Sequence, residues 1–371
     1  MSPLPGFFAA IPAGGAGKRL WPLSRQAAPK FLLDLTGEGR TLIEQAWDRL
    51  EPLAGADGIE VVTGLAQATA VAEQLDRLAP DNLIVEPGPR DSMPAIALAA
   101  AITERRHGDV VLGSFAADHI IHGQDRFAAA VESAYLAAQE GFIATIGIKP
   151  AGPSTAYGYI KAGPPIGLLE APQIALVEAF KEKPGRATAE AYLASGDYRW
   201  NAGMFVFKVR LLLARLEALH PRMADGIGQL AGAWDTDARA QVAAEIWPSL
   251  PKIAFDHAIA EPVAAEGGLA TVPGDFDWSD VGDFASLGEL VAPGADGVRR
   301  LVLDGGPEPV VLDSPGAFAI SGAGRLVTVV GQPDVVVVDT PDAVLVVARD
   351  QVQDVKALVD RLEGGGLGER L

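Results

Sequence analysis

The 371-residue chain carries no cysteine, 49% hydrophobic residues and a formal net charge of −18. That length accommodates one large domain, or a large and a small one, around a substantial core. The charge argues against nucleic-acid polymers, which demand a broad basic surface, and the missing thiols exclude disulfides and cysteine nucleophiles.

From the N-terminus, "PGFFAAIPAGG" lacks a basic leader region and reads as a buried first strand, Phe7–Ile11, rather than a signal peptide. The absence of cysteine fits a cytoplasmic protein, and that location is the expectation. Ile59–Gly64, Asn82–Glu86, Asp109–Phe115 and Phe142–Ile148 read as further buried strands. Helices fall between them. Thr41 and Glu44 form a capping-box pattern, Pro94 opens "PAIALAAAITERRH" at a first-turn position, and a third helix is expected near Arg126–Gln139. Such alternation predicts an α/β fold with a mostly parallel, doubly wound, Rossmann-like sheet, whose ligands sit beyond the carboxyl ends of the strands.

The pattern is mixed from Gln173 to about Leu290, and "VAPGADG" (Val291–Gly297) reads as a linker. Beyond it, short Val-rich strands predict a small β domain too irregular for its coils to be counted. An amphipathic segment, "DQVQDVKALVDRL", and a frayed tail, "EGGGLGERL", close the chain. The expected domains are 1–293, carrying the larger sheet, and 294–371. No apolar run reaches the roughly 20 residues of a membrane helix, so no membrane partner is expected. The Val-rich tail could support a homodimer, although the same pattern simply builds a core.

The chemistry concentrates in "IPAGGAGKRLWPLSRQAAPKFLLDL", Ile11–Leu35. No Asp or Glu precedes Asp34, yet Lys18, Arg19, Arg25 and Lys30 occur there. Backbone N–H groups around Ala13, Gly14, Gly15 and Gly17 can approach a phosphate closely, and Lys18, Arg19 and Lys30 can balance its charge. A tight turn with exposed cations is the plainer alternative. Two familiar phosphate motifs fail: Pro12 and Arg19 break the P-loop pattern, and Leu20 replaces the last glycine of a dinucleotide fingerprint. A Rossmann oxidoreductase is thereby disfavoured.

"AGGAGKRLWPLSRQAAPKFL" resembles the signature loop of sugar-1-phosphate nucleotidyltransferases, and "RLWPLSR" is similar to the wording of their mannose-1-phosphate guanylyltransferase branch. The resemblance recurs in order at "EPGPRDSMPAI", "AADHII", "AYGYI", "FKEKP", "WNAGMFVF" and "WSDVG". It implies a nucleotidyltransferase sheet followed by a left-handed β-helix segment, with no stretch long enough for the isomerase domain fused to some relatives. Three departures stand out: Phe31 directly follows Lys30, Asp91 replaces Asn, and Ala202 replaces Ser.

The implied reaction joins α-D-mannose 1-phosphate to GTP, giving GDP-mannose and pyrophosphate with Mg²⁺ as cofactor. Asp118 and Asp280 are the implied metal pair, although on sequence alone an Asp at a strand end is usually a loop cap. Arg19, Lys30 and Lys183 are the implied catalytic cations, with Gly158, Glu182, Lys183 and Asn201 on the sugar phosphate. Gly158 fits a hairpin bend as well, and Asn201 a turn beside the core residues Trp200, Met204 and Phe205. Glu86, Arg90 and Pro94 occupy the nucleotide-side loop, where Glu86 could accept from guanine or merely cap a strand end. The alternatives are another sugar 1-phosphate, such as a manno-heptose or glucose derivative, and a non-catalytic nucleotide-sugar-binding regulator.

Overall fold

The computed structural model describes residues 2–15, 17–303 and 305–365. These residues divide into two compact units: those within 2–14, 46–117 and 121–278 form the first, and those within 15–45, 118–120 and 279–365 the second.

The first unit is built on a nine-stranded sheet. The strands lie in the order Leu83–Glu86, Ile59–Gly64, Phe7–Ala13, Val111–Ser114, Tyr198–Lys208, Ile143–Ile148, Leu269–Gly274, Ala175–Lys181, Gly158–Pro165. The first four pair in parallel, as their apolar runs foretell, because helices cover both faces of such strands. Tyr198–Lys208 then runs antiparallel to both Val111–Ser114 and Ile143–Ile148, so the sheet becomes mixed where the sequence pattern does. The helix Ser92–His107 has no polar face over its middle: every residue from Met93 to Thr103 is buried. Its run of alanines lets the sheet on one side and the helices Val209–Leu219 and Pro221–Ala233 on the other approach closely. Pro94 lies in its first turn, and Gly108, with φ 81°, ends it.

The second unit stacks short parallel strands. Arg299–Val302 pairs with Phe318–Ser321, which pairs with Val335–Asp339, while Val310–Leu312 pairs with Thr328–Val330. Registers Phe318↔Val336 and Val310↔Thr328 advance 18 residues per coil, a period hidden in the sequence by unequal turns. Val344–Ala348 closes the stack by running antiparallel. The final helix, Val355–Gly364, buries Val355 and Val359 against Leu20 and Trp21. It takes in Glu363 and Gly364, the first residues of the tail expected to fray; residues 366–371 of that tail lie outside those described. No helix among the described residues is long and apolar enough to cross a membrane.

Candidate active site

In the second unit the glycine-rich segment turns at Gly17, whose φ of 58° is left-handed. A Cβ there would lie 2.8 Å from Ser24 Oγ, so the turn admits only glycine. Two short helical turns follow, Lys18–Leu20 and Lys30–Leu32. Leu20, Phe31 and Leu32 point into the core, and Phe31, one of the departures from the family pattern, is a core residue. Apolar anchoring of this kind fixes where the intervening cations stand.

Lys30 gathers the two implied metal ligands. Its Nζ lies 2.9 Å from Asp118 Oδ2 and donates to the Asp280 carbonyl at 2.5 Å. Val281, next in the chain, has φ 46°, a strained value for a β-branched residue that the surrounding contacts must hold. Burial by itself would raise the Asp118 pKa; the Lys30 charge, aided by His119 and the Lys30 hydrogen bond, outweighs it and holds the carboxyl below its ordinary value. Asp118 is therefore ionised at neutral pH. Asp280 Oδ1 accepts from Gly282 N at 3.1 Å, and Asp283 caps the helix Phe284–Leu290 in a full capping box.

Arg19 stands at the same loop. A Cβ on Gly282 would lie 3.2 Å from Asp280 Oδ2 and 3.4 Å from Arg19 Nη2. Arg19 Nη1 also donates to Gln353 Oε1 at 3.1 Å. Lys18 behaves differently: its ammonium pairs with Asp360 at 2.9 Å and Glu363 at 2.7 Å, both on the terminal helix. Two carboxylates thus already balance the Lys18 charge.

The first unit holds the sugar-side candidates. Glu182 follows the strand Ala175–Lys181; its Oε1 meets Lys183 Nζ at 2.8 Å, and its buried Oε2 has no hydrogen-bond partner among the described residues. Lys183 has φ 43°, another left-handed non-glycine residue at a candidate site. A Cβ on Gly158 would lie 2.5 Å from Glu182 Oε2 and 3.2 Å from Asn201 Cβ, so a larger residue there would displace the Glu182 carboxylate. Asn201 is less available than its type suggests. Its Oδ1 accepts from Thr145 Oγ1 at 2.9 Å and from Gly203 N at 3.2 Å, and its Nδ2 donates to Asp256 Oδ1 at 2.6 Å. One N–H remains for a ligand. Trp200, Met204 and Phe205 are buried core residues.

Asp256 is a residue the sequence reading missed. It opens a π-helical turn, Asp256–Ala260, an uncommon geometry that often marks a functional position. Burial first, and then the neighbouring Glu182 charge, raise its pKa to about 6. The only signal in the sequence was a single carboxylate inside the mostly apolar "IAFDHAIA".

On the nucleotide side, Ala13 ends the first strand, and its carbonyl accepts from Thr63 Oγ1 at 2.8 Å. A Cβ at Gly14 or Gly15 would meet no described atom within 4 Å, so the backbone there is unobstructed. Glu86 ends the strand Leu83–Glu86 with a buried Oε2 that has no partner among the described residues, and burial pushes its pKa up to about 7. Arg90 Nε donates to the Trp247 carbonyl at 3.2 Å, and its Nη2 to the Pro248 carbonyl at 2.7 Å. These two bonds brace Arg90 against the segment at Trp247–Pro248 and leave three of its five N–H donors for a ligand. Pro94 is buried within its helix and offers shape alone.

Residues 9–293 match the family described as Nucleotidyl transferase, and residues 307–362 match the MannoseP isomerase/GMP-like beta-helix domain. The Escherichia coli (strain K12) protein named mannose-1-phosphate guanylyltransferase is 38% identical over 365 residues, spanning 97% of this chain and 74% of its own length. The chain belongs to the mannose-1-phosphate guanylyltransferase family of nucleotidyl transferases. The chain is also 38% identical over 365 residues to the xanthan biosynthesis protein XanB of Xanthomonas campestris pv. campestris (strain B100), with the same coverage of both chains. A Thermus thermophilus crystal structure described as mannose-1-phosphate geranyltransferase superposes with a TM-score of 0.83 at 31% identity, covering 96% of this chain and 99% of that one.

A family member of this kind implies a divalent metal, and the donor set fits one. Asp118 and Asp280 supply hard carboxylate oxygens, and one lysine touches both residues. Among the described residues, no group of three or more His, Cys, Asp and Glu could hold a metal. Two carboxylates suit a hard divalent cation that completes its shell with water and substrate oxygens.

Proposed function

We propose that the chain transfers GMP from GTP to α-D-mannose 1-phosphate, releasing GDP-mannose and pyrophosphate. The observation that carries this reading is Lys30, which holds Asp118 and the Asp280 backbone in one cluster where Arg19 also stands. An oxygen of the sugar phosphate attacks the α-phosphorus, and the bond from that phosphorus to the β-phosphate oxygen breaks, releasing pyrophosphate. The attacking phosphate is already anionic at neutral pH, so no general base is required. Catalysis is then positioning and charge stabilisation. Lys30 and Arg19 bind phosphate oxygens, with Arg19 on the leaving pyrophosphate. When bound to Asp118 and Asp280, Mg²⁺ supplies further neutralisation of phosphate charge.

On the sugar side, Glu182 Oε2 accepts a sugar hydroxyl, its orphaned state being the support for that role. Lys183 meets the sugar phosphate, and Asp256 fixes the orientation of Asn201. Glu86 accepts from the guanine N1–H and N2–H₂ donors, while the backbone at Gly14 and Gly15 lies against phosphate. In this reading residues 1–293 form the catalytic domain and 294–371 the small β domain, in a cytoplasmic enzyme. Exposed apolar side chains on the β strands, Val310, Leu312, Val330, Val344 and Val346, support a homodimer, which sedimentation velocity would read. The test of activity is pyrophosphate release with GTP, ATP and UTP crossed against several hexose 1-phosphates, with and without Mg²⁺. Preference for GTP with mannose 1-phosphate is expected; release with another pair, or with none, overturns the assignment.

A further inference from the structure

The segment "VQDVK", late in the chain, has no part in the chemistry above, yet its Gln353 stands between two groups that matter there. Gln353 Oε1 accepts from Arg19 Nη1 at 3.1 Å, and Gln353 Nε2 donates to the Asp283 carboxylate. Asp283 belongs to the capping box that starts three residues after Asp280. The backbone carrying Gln353 is fixed by its neighbours: Val352 and Val355 are buried with Leu20, Trp21, Val281 and Phe284 in one apolar cluster.

We infer that Gln353 is a positioning residue, which holds Arg19 for the triphosphate of the nucleotide and keeps it from collapsing onto the carboxylates of the Asp280–Asp283 loop. The inference rests on the nucleotidyl-transfer reading above. Its physical basis is the choice of side chain. Arg19 lies beside Asp280, and a guanidinium left to itself in that company would form an ion pair with it. Such a pair would neutralise a metal ligand and withdraw the cation from phosphate. A primary amide offers an acceptor at one end and donors at the other, so it satisfies an arginine and an aspartate together without adding charge. Glutamate could hold Arg19 but would oppose both Asp283 and the phosphates. An apolar side chain of the same length would hold neither. Lys18 completes the attachment, because Asp360 and Glu363 bind it on the same terminal segment.

The test uses the full chain with Gln353→Met, Gln353→Glu, Arg19→Ala and the double variant Arg19→Ala/Gln353→Met. Pyrophosphate release gives kcat and both KM values, calorimetry gives GTP affinity without sugar, and melting curves report folding. Gln353→Met is expected to lower kcat/KM for GTP about five- to twentyfold, with the mannose 1-phosphate KM and the melting midpoint unchanged. Gln353→Glu should bind GTP more weakly than Gln353→Met. In the Arg19→Ala background the Gln353 substitution should add less than a twofold effect, because its action passes through Arg19. A wild-type rate in Gln353→Met, or losses that multiply in the double variant, would overturn the inference while leaving the activity standing. A wild-type chain that neither binds GTP nor releases pyrophosphate overturns the activity itself, and the inference with it.

Discussion

Glu86 and Lys30 show how far single residues can be read. Glu86 is a carboxylate with a buried oxygen that no described residue partners, and its pKa lies near 7 because burial disfavours the charged form. As pH falls through that value the group takes up a proton and ceases to be a full acceptor for guanine. Selectivity for GTP over ATP and UTP is therefore expected to fall from pH 8 to pH 6. In Glu86→Gln it should be reduced about tenfold or more at pH 8 and lose that pH dependence. Competition assays at both pH values check this, and unchanged GTP preference in the variant rules out Glu86 as the reader. Lys30→Ala removes the group that joins Asp118 to the Asp280 backbone. Its kcat is expected to drop roughly tenfold to a hundredfold or more, from the loss of charged hydrogen bonds. A folded variant with wild-type turnover would remove Lys30 from the chemistry. The sequence singled out both positions, Lys30 by its acid-free surroundings and Glu86 by its place at a strand end, but not the contacts that Lys30 makes or the burial of the Glu86 oxygen. At Lys18 nothing in "GKRLW" reveals the two carboxylates, more than 340 residues away, that pair with it.

At the scale of elements, local pattern and structure agree wherever the chain's own periodicity decides. Ile59–Gly64 is a strand over the residues read for it, Glu44 Oε2 does accept from Thr41 N at 2.7 Å, and the expected helix at Arg126–Gln139 starts two residues earlier. The first strand continues past Ile11 to Ala13, because pairing with Ile59–Gly64 carries it through Pro12. Coil counting failed for a different reason: a β-helix is defined by register between coils, which unequal turns conceal. The strand Gly158–Pro165 supplies a test. Gly158→Ala places a methyl 2.5 Å from Glu182 Oε2 and 3.2 Å from Asn201 Cβ. Either group must move, so the KM for mannose 1-phosphate should rise at least severalfold with the KM for GTP unchanged. Equal effects on both substrates would show that Gly158 serves the fold alone.

Across the whole molecule, the titration of one buried acid should be visible in stability. Glu60 is 1% exposed, and burial raises its pKa to about 7, opposed by the Thr103 hydroxyl at 2.9 Å and by the Arg106 charge. The folded state holds this proton more tightly than the unfolded chain does. Stability should consequently fall as pH rises from about 4.5 to 7, and level off above. Glu60→Gln removes the penalty for ionisation. At pH 8 it is expected to stabilise the protein by up to roughly 2–3 kcal/mol relative to wild type, with little gain at pH 5. Denaturant melts at the two pH values check the difference, and an equal effect at both would refute it.

The sequence by itself determined the alternating elements, the small β unit, the cation-rich glycine loop and the family, because each is written in short-range pattern. Tertiary structure alone decided that residues 15–45 pack in one unit with the terminal helix, that Lys18 and Arg90 are tied to other parts of the protein, and that Asp256 braces Asn201. Those facts depend on contacts between residues far apart in the chain. A side chain's type says what it can bond to, but only packing fixes which partner reaches it first.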